Sequence, residues 1–169
     1  HHTNEIAQSE AAYGEQPANL WLHNEYLIVD SSKMSKSKDN FFRLQSIKDK
    51  NINPLAYRYF LLQTHYRKEL HFSWEALNSA AAGLKHLYNS ITELEKTKTN
   101  EEAIITEFTK LINKDLYIPG ALAFMWEEIK KRSISQETLL KMDEVLGLRL
   151  KESLNQKIRI PDNVQKLIK

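Results

Sequence analysis

Between Trp74 and Leu94 apolar residues return every three or four positions: Trp74, Leu77, Ala81, Leu84, Leu87/Tyr88, Ile91 and Leu94. That spacing lays one apolar stripe along an α-helix. Ser73 stands where a hydroxyl can accept from the first free N–H groups, so the helix is predicted to open there. Gly83 interrupts the stripe at a cost of roughly 1 kcal/mol relative to Ala, which close packing against a neighbouring helix would offset. Three similar patterns follow. One is Ile104/Ile105/Phe108/Leu111/Ile112 behind an Asn100 cap. The next is Leu122/Met125/Trp126/Ile129 led by Pro119. The last is Leu139/Leu140/Met142/Val145/Leu146, opened by Ser135 and ended by Gly147. Before the long helix, Asn53-Pro54 is a cap followed by proline at the first helical position, where no N–H is lost. The segment behind it, Leu55 to His65, is apolar on most sides and is predicted to be buried. Glu95 to Glu102 is a polar linker. The tail from Leu150 is weakly patterned, with a last short helix expected after Pro161.

The first third of the chain has another texture. Thr3 is placed to cap a short helix through Ile6, Ala7, Ala11 and Ala12, which Gly14 stops. Gly14 to Pro17 is a loop. Leu20 to Val29 has strand composition broken at His23-Asn24, which suits a hairpin or two short strands. A charged stretch, Asp30 to Asn40, leaves the end of this apolar run. The change near residue 48 divides the chain into strand and loop before it and helices after it. We expect a mainly α chain in three regions: 1–48, 49–97 and 98–169. No repeat or low-complexity segment is present.

Composition narrows the picture. Lys+Arg (24) nearly balance Asp+Glu (22) for a formal charge of +2, so any nucleic-acid contact must rest on a local basic patch rather than overall charge. The chain has no cysteine, which rules out a disulfide framework or a thiolate metal site built from these residues alone. No apolar run reaches membrane-spanning length and no signal peptide is visible, so a cytoplasmic setting is the default expectation.

Three clusters could do chemistry. Lys33-Met34-Ser35-Lys36-Ser37 sets two ammonium groups three residues apart between small hydroxyls, with Lys38 and Arg43 following and Asp39 opposing. Compact, strongly hydrated ammonium groups on a pliant loop suit a polyphosphate whose charge is being redistributed. The plain alternative is a solvated basic turn, the commoner fate of a lysine-serine run. His1 and Glu5, four apart, put a nitrogen and an oxygen donor on one helical face, half of a zinc site. Against that stands an exposed histidine beside a glutamate at a helix N-terminus; His2 competes for the metal but is one residue out of phase. Tyr66-Arg67-Lys68 with His65 and His71 joins cations to aromatic rings between two helices. Such a set suits RNA phosphate with stacking, and equally a solvated helix end. Trp74 and Trp126, among aliphatic residues, are read as core.

Taken together, His1 to Glu10, Leu20-Trp21-Leu22-His23-Asn24, Lys33 to Ser37, and Phe60 to Arg67 leading into Leu70-His71-Phe72-Ser73 resemble the cysteinyl-tRNA synthetases, class I aminoacyl-tRNA synthetases. The resemblance is strong over residues 1–95. Beyond them it is topological, with Asp115-Leu116-Tyr117-Ile118-Pro119 similar to the family's turn into its next helix. The basic loop recurs across class I enzymes; the His-His-x-Asn-Glu opening points to the cysteine enzyme, although Thr3 stands where that opening usually has Glu.

The resemblance implies the end of a Rossmann-type α/β catalytic domain followed by an antiparallel helical bundle. It also implies ATP with Mg2+ as substrate, Lys36 as the catalytic lysine with Lys33 assisting, and Lys33, Met34, Ser35, Lys36 and Ser37 as the ATP-binding loop. His1 and Glu5 would supply half of a Zn2+ site that selects cysteine through its thiolate. The two cysteine ligands and the family's His-x-Gly-His element would lie upstream, so the isolated chain is expected to be inactive and to bind zinc weakly. Arg67 and Lys68 would meet tRNA(Cys), and a monomer is expected. Two rivals remain: a related ligase joining cysteine to an amino sugar, which needs no tRNA-binding bundle, and a non-catalytic helical RNA-binding module.

Overall fold

The computed structural model of the chain describes residues 2–29, 32–33 (backbone only), 43–96 and 101–155. Eight helices and three short strands are described in this order: α1 (Thr3–Tyr13), β1 (Leu27–Val29), β2 (Ser32–Lys33), α2 (Leu44–Asp49), α3 (Pro54–Leu62), β3 (Leu70–Phe72), α4 (Trp74–Thr92), α5 (Glu101–Asn113), α6 (Ile118–Lys130), α7 (Gln136–Leu146) and α8 (Leu150–Asn155). The fold is mainly α, as the periodicity predicts.

The sheet has the order β2-β1-β3. β1 pairs antiparallel with β2, Ile28 opposite Lys33, and parallel with β3, Leu27 opposite Leu70 and Val29 opposite Phe72. Between the parallel strands the chain runs through α2 and α3, because parallel neighbours need a crossover. The apolar run from Leu20 to Val29 suggests a hairpin or two short strands. It supplies one strand, Leu27–Val29, since residues 20–26 have no regular structure and the partners of that strand come from elsewhere. Neither α2 nor β3 was foreseen. Six and three residues are too short to show a period, and both are held by tertiary contacts.

Capping chemistry sets most helix starts. Asn53 accepts from the Leu55 N–H at 2.9 Å, and Ser73 accepts from the Ala76 N–H at 3.1 Å. Ser135 accepts from the Thr138 N–H at 3.1 Å. α1 departs from expectation: Thr3 is its first helical residue, and the cap position belongs to His2, which makes no side-chain cap bond. Gly14 ends it in the left-handed region at φ 72°, as Gly147 ends α7 at φ 63°. α6 begins one residue before Pro119, and α5 begins inside the expected linker. The Asn100 cap and the helix after Pro161 fall outside the described residues.

One continuous core runs from Val29 and Phe72 through Phe60, Leu77, Leu84 and Leu87 to Met125, Leu139, Met142 and Leu150. α3 lies against α4, and an added Cβ at Gly83 would stand 3.1 Å from the Tyr59 ring, which accounts for the glycine. α3 is less buried than its composition suggests: it ends at Leu62, and Leu61 is exposed. Trp74 and Trp126 pack on the core but are only half-buried; the Trp126 indole donates to the Tyr59 hydroxyl at 2.8 Å. After α7 the chain turns back over α4. There the buried Asp143 accepts from the Leu148 and Leu150 N–H groups at 2.6 and 2.7 Å, and Arg58 donates to the Leu146 carbonyl at 2.6 Å.

Candidate functional site

The basic and aromatic cluster sits on the loop from α3 to β3. The segment before β1 runs beside it: the Glu25 N–H donates to the Tyr66 carbonyl at 2.7 Å, and the Leu70 N–H to the Tyr26 carbonyl at 3.1 Å. These bonds prolong the parallel pairing backwards and fix the loop to the sheet.

Its side chains converge on one carboxylate from the turn between α5 and α6. Arg67 takes Asp115 with two donors, Nε to Oδ2 at 2.8 Å and Nη2 to Oδ1 at 3.1 Å. The Tyr66 hydroxyl donates to Oδ1 at 2.6 Å, and the His65 Nε2 lies 2.9 Å from the Asp115 carbonyl oxygen. The Arg67 guanidinium also stands over the Tyr66 ring, 4.9 Å from its centroid. Charge-assisted, two-pronged bonds of this kind are the strong ones. The Arg67 and Tyr66 bonds hold the Asp115 carboxyl down at about 2. In return, the bond to Asp115 raises the Tyr66 phenol and the Arg67 guanidinium above their ordinary values. Asp115 and Leu116 both have left-handed backbones, φ 53° and 52°, which is unusual for residues with a Cβ.

Beneath this clamp lies a cavity of about 470 Å3, lined by Leu22, Tyr26, Tyr57, Leu62, Lys68 and Ile118 among others. Lys68 is exposed at its rim. His71 does not join the cluster by any described bond; it lies on β3 opposite Ile28.

The other expected site residues are only partly in view. Lys33 is the last residue of β2, paired with Ile28. Met34, Ser35, Lys36 and Ser37 fall outside the described residues, as does His1. Glu5 is exposed in the first turn of α1, 3.8 Å from His2 Nδ1. His2 stacks on Trp21 at 3.9 Å, and its ring centre is 4.9 Å from that of His23. Among the described residues no three His, Cys, Asp or Glu side chains come together as a metal site. The donors fit at most an incomplete site of nitrogen and oxygen ligands.

Residues 1–82 match the family model described as the tRNA synthetases class I (C) catalytic domain. Over those residues the chain belongs to this family. Similar proteins agree. The chain is 39% identical to cysteine–tRNA ligase 1 of Burkholderia lata over 175 residues, 99% of this chain and 37% of that protein. It is 38% identical to the cysteine–tRNA ligase of Treponema denticola, over 92% of this chain and 38% of that one. With the ligase of Brachyspira hyodysenteriae it shares 39% identity over 82% of this chain and 32% of that one. The chain thus spans about a third of the length of the curated relatives it matches. The similarity reaches well past residue 95, so the synthetase likeness of the helical part is one of sequence as well as topology. Among the described residues no helix is long and apolar enough to cross a membrane.

Sequence reasoning missed Asp115 as the partner of Arg67. The two lie 48 positions apart, and nothing local marks the aspartate as more than a turn residue.

Proposed function

We propose that the polypeptide carrying this chain attaches cysteine to tRNA(Cys) at the expense of ATP, through a cysteinyl-adenylate, in the cytoplasm and as a monomer. The observation supporting this best is the family match over residues 1–82 combined with the similarity to the three cysteine–tRNA ligases named above. In this reading the cysteine carboxylate attacks the α-phosphorus of ATP, and Mg2+-pyrophosphate leaves. Negative charge grows on the bridging oxygen and the departing phosphates. Lys36, assisted by Lys33, neutralises it, an interaction made mainly in the transition state. Met34, Ser35 and Ser37 complete the loop that holds the nucleotide. Lys33 closes a strand at the sheet edge, so one end of that loop is anchored to rigid structure.

His1 and Glu5 would hold Zn2+ from one side, the remaining ligands coming from elsewhere in the polypeptide. Zinc, when bound, would supply a soft Lewis acid that favours a thiolate over the hydroxyl of serine. Region 1–48 then ends the catalytic domain and contributes nucleotide and metal ligands, 49–97 is a helical region of the stem-contact type, and 98–169 is the helical bundle that contacts the tRNA. Arg67 and Lys68 are the residues assigned to tRNA.

The test is Lys36→Ala in the whole polypeptide, assayed by cysteine-dependent ATP–pyrophosphate exchange at saturating ATP. A fall of about a hundredfold or more is expected, with little change in the ATP requirement. Near-normal exchange would remove the lysine from the mechanism.

A further inference from the structure

We propose that Asp115 is a positioning residue for Arg67, fixing the guanidinium so that its far edge is presented to an RNA phosphate. The proposal rests on the reading above, that this surface meets tRNA. It assigns a role to a residue which that reading leaves idle.

The clamp uses only one edge of the guanidinium. Nε–H and one Nη2–H go to Asp115, so of five donors three remain, on the far edge of a planar group. The Arg67 side chain is 62% exposed, so this edge is open to a ligand. Its freedom is otherwise removed: the Tyr66 ring lies on its face, and the Tyr66 hydroxyl pins the same carboxylate. His65 fixes the Asp115 main chain in turn. Three consecutive loop residues therefore grip one aspartate, whose left-handed backbone persists because so many contacts determine it. A guanidinium held this way loses little further side-chain freedom on meeting a phosphate, the gain expected of a preorganised contact. Lys68 and Lys114 flank the pair as exposed cations, with Glu69 opposing them.

Bare electrostatics and positioning predict opposite signs. A carboxylate beside a polyanion repels it, so if Asp115 did nothing but carry charge, Asp115→Asn would tighten RNA binding. If it orients Arg67, the same change weakens binding.

The experiment measures affinity of the whole polypeptide for a tRNA(Cys) transcript by fluorescence anisotropy, between about 50 and 200 mM salt. Arg67→Ala should weaken binding on the order of tenfold and reduce the salt slope by about 1. Asp115→Asn should weaken it in the same direction, and the double variant should be no weaker than Arg67→Ala alone. Arg67→Lys, which keeps the charge but lacks the fork, should not restore wild-type affinity. Should Asp115→Asn fail to fold, Tyr66→Phe takes its place: it keeps the ring and every charge and removes only the hydroxyl's grip, so a smaller loss is expected. Arg67→Ala weakening while Asp115→Asn (or Tyr66→Phe in its stead) leaves affinity unchanged or tighter overturns the positioning role and spares the RNA reading. An unaffected Arg67→Ala overturns both at this surface.

Discussion

The helices α4 and α1 differ more than their lengths suggest. α4 buries Leu77, Ala80, Leu84, Leu87, Ser90 and Ile91, whereas α1, which bears Glu5, buries nothing; its last residue, Tyr13, and Leu20 in the chain after it are more than four-fifths exposed. Glu5, proposed to bind metal, belongs to the poorly buried part, and the residues that hold the fold belong to the other. Local opening free energies follow buried contact, so residues 2–26, none of them buried, lie at the low end of the stability range. A site built there can adapt to a ligand at little cost to the core.

The sharpest way to test that contrast is a pair of aliphatic truncations, and the larger effect belongs to Leu87→Ala. Leu87 is fully buried on the apolar stripe of α4, a helix that packs against α3, α7 and α8. Losing it should cost about 2–5 kcal/mol in urea-induced unfolding, the transfer loss plus a cavity that the close-packed neighbours fill poorly. Next comes Asp143→Ala. The carboxylate satisfies two buried N–H groups at the turn after α7, and leaving them unmet should cost roughly 2–3 kcal/mol. A loss below about 1 kcal/mol would mean that water enters this turn.

These two residues also show what a sequence can and cannot disclose. Leu87 was legible because a helix repeats its apolar positions, and the caps at Asn53, Ser73 and Ser135 because the chemistry is local. Asp143 was hidden inside an amphipathic helix as one more polar residue; its role depends on a turn that the pattern does not show. β3 and α2 were invisible for the same reason, since long-range pairing decides such short elements. In the site, Arg67 and Lys68 were legible as cations beside aromatic rings, but the charge that organises Arg67 comes from another turn 48 residues on.

The Asp115 clamp lies between the two extremes, exposed yet multiply bonded, and acid is the probe. Its carboxyl is held at about 2, below the unfolded value, chiefly by the Arg67 bond and then by Tyr66. A depressed carboxyl adds stability that is present in full above the unfolded value near 4 and is lost as pH falls through about 2. A carboxyl-carbon NMR titration should therefore find an Asp115 midpoint close to 2. Arg67→Ala should move that midpoint back toward the ordinary aspartate range. A midpoint that stays low without Arg67 would transfer the main cause to Tyr66.

The smallest effect is expected from Ile6→Ala, the counterpart of Leu87→Ala in α1. Ile6 is only half-buried on a helix with no buried residue, so little apolar surface returns to water and no cavity forms. Alanine also favours the helix slightly over a β-branched side chain, which offsets part of the loss. The net change in urea unfolding should stay within about 0.5–1 kcal/mol. Were it to approach the Leu87→Ala value, Ile6 would be packed in solution, and α1 would have to be counted with the core instead of with the adaptable part that bears Glu5.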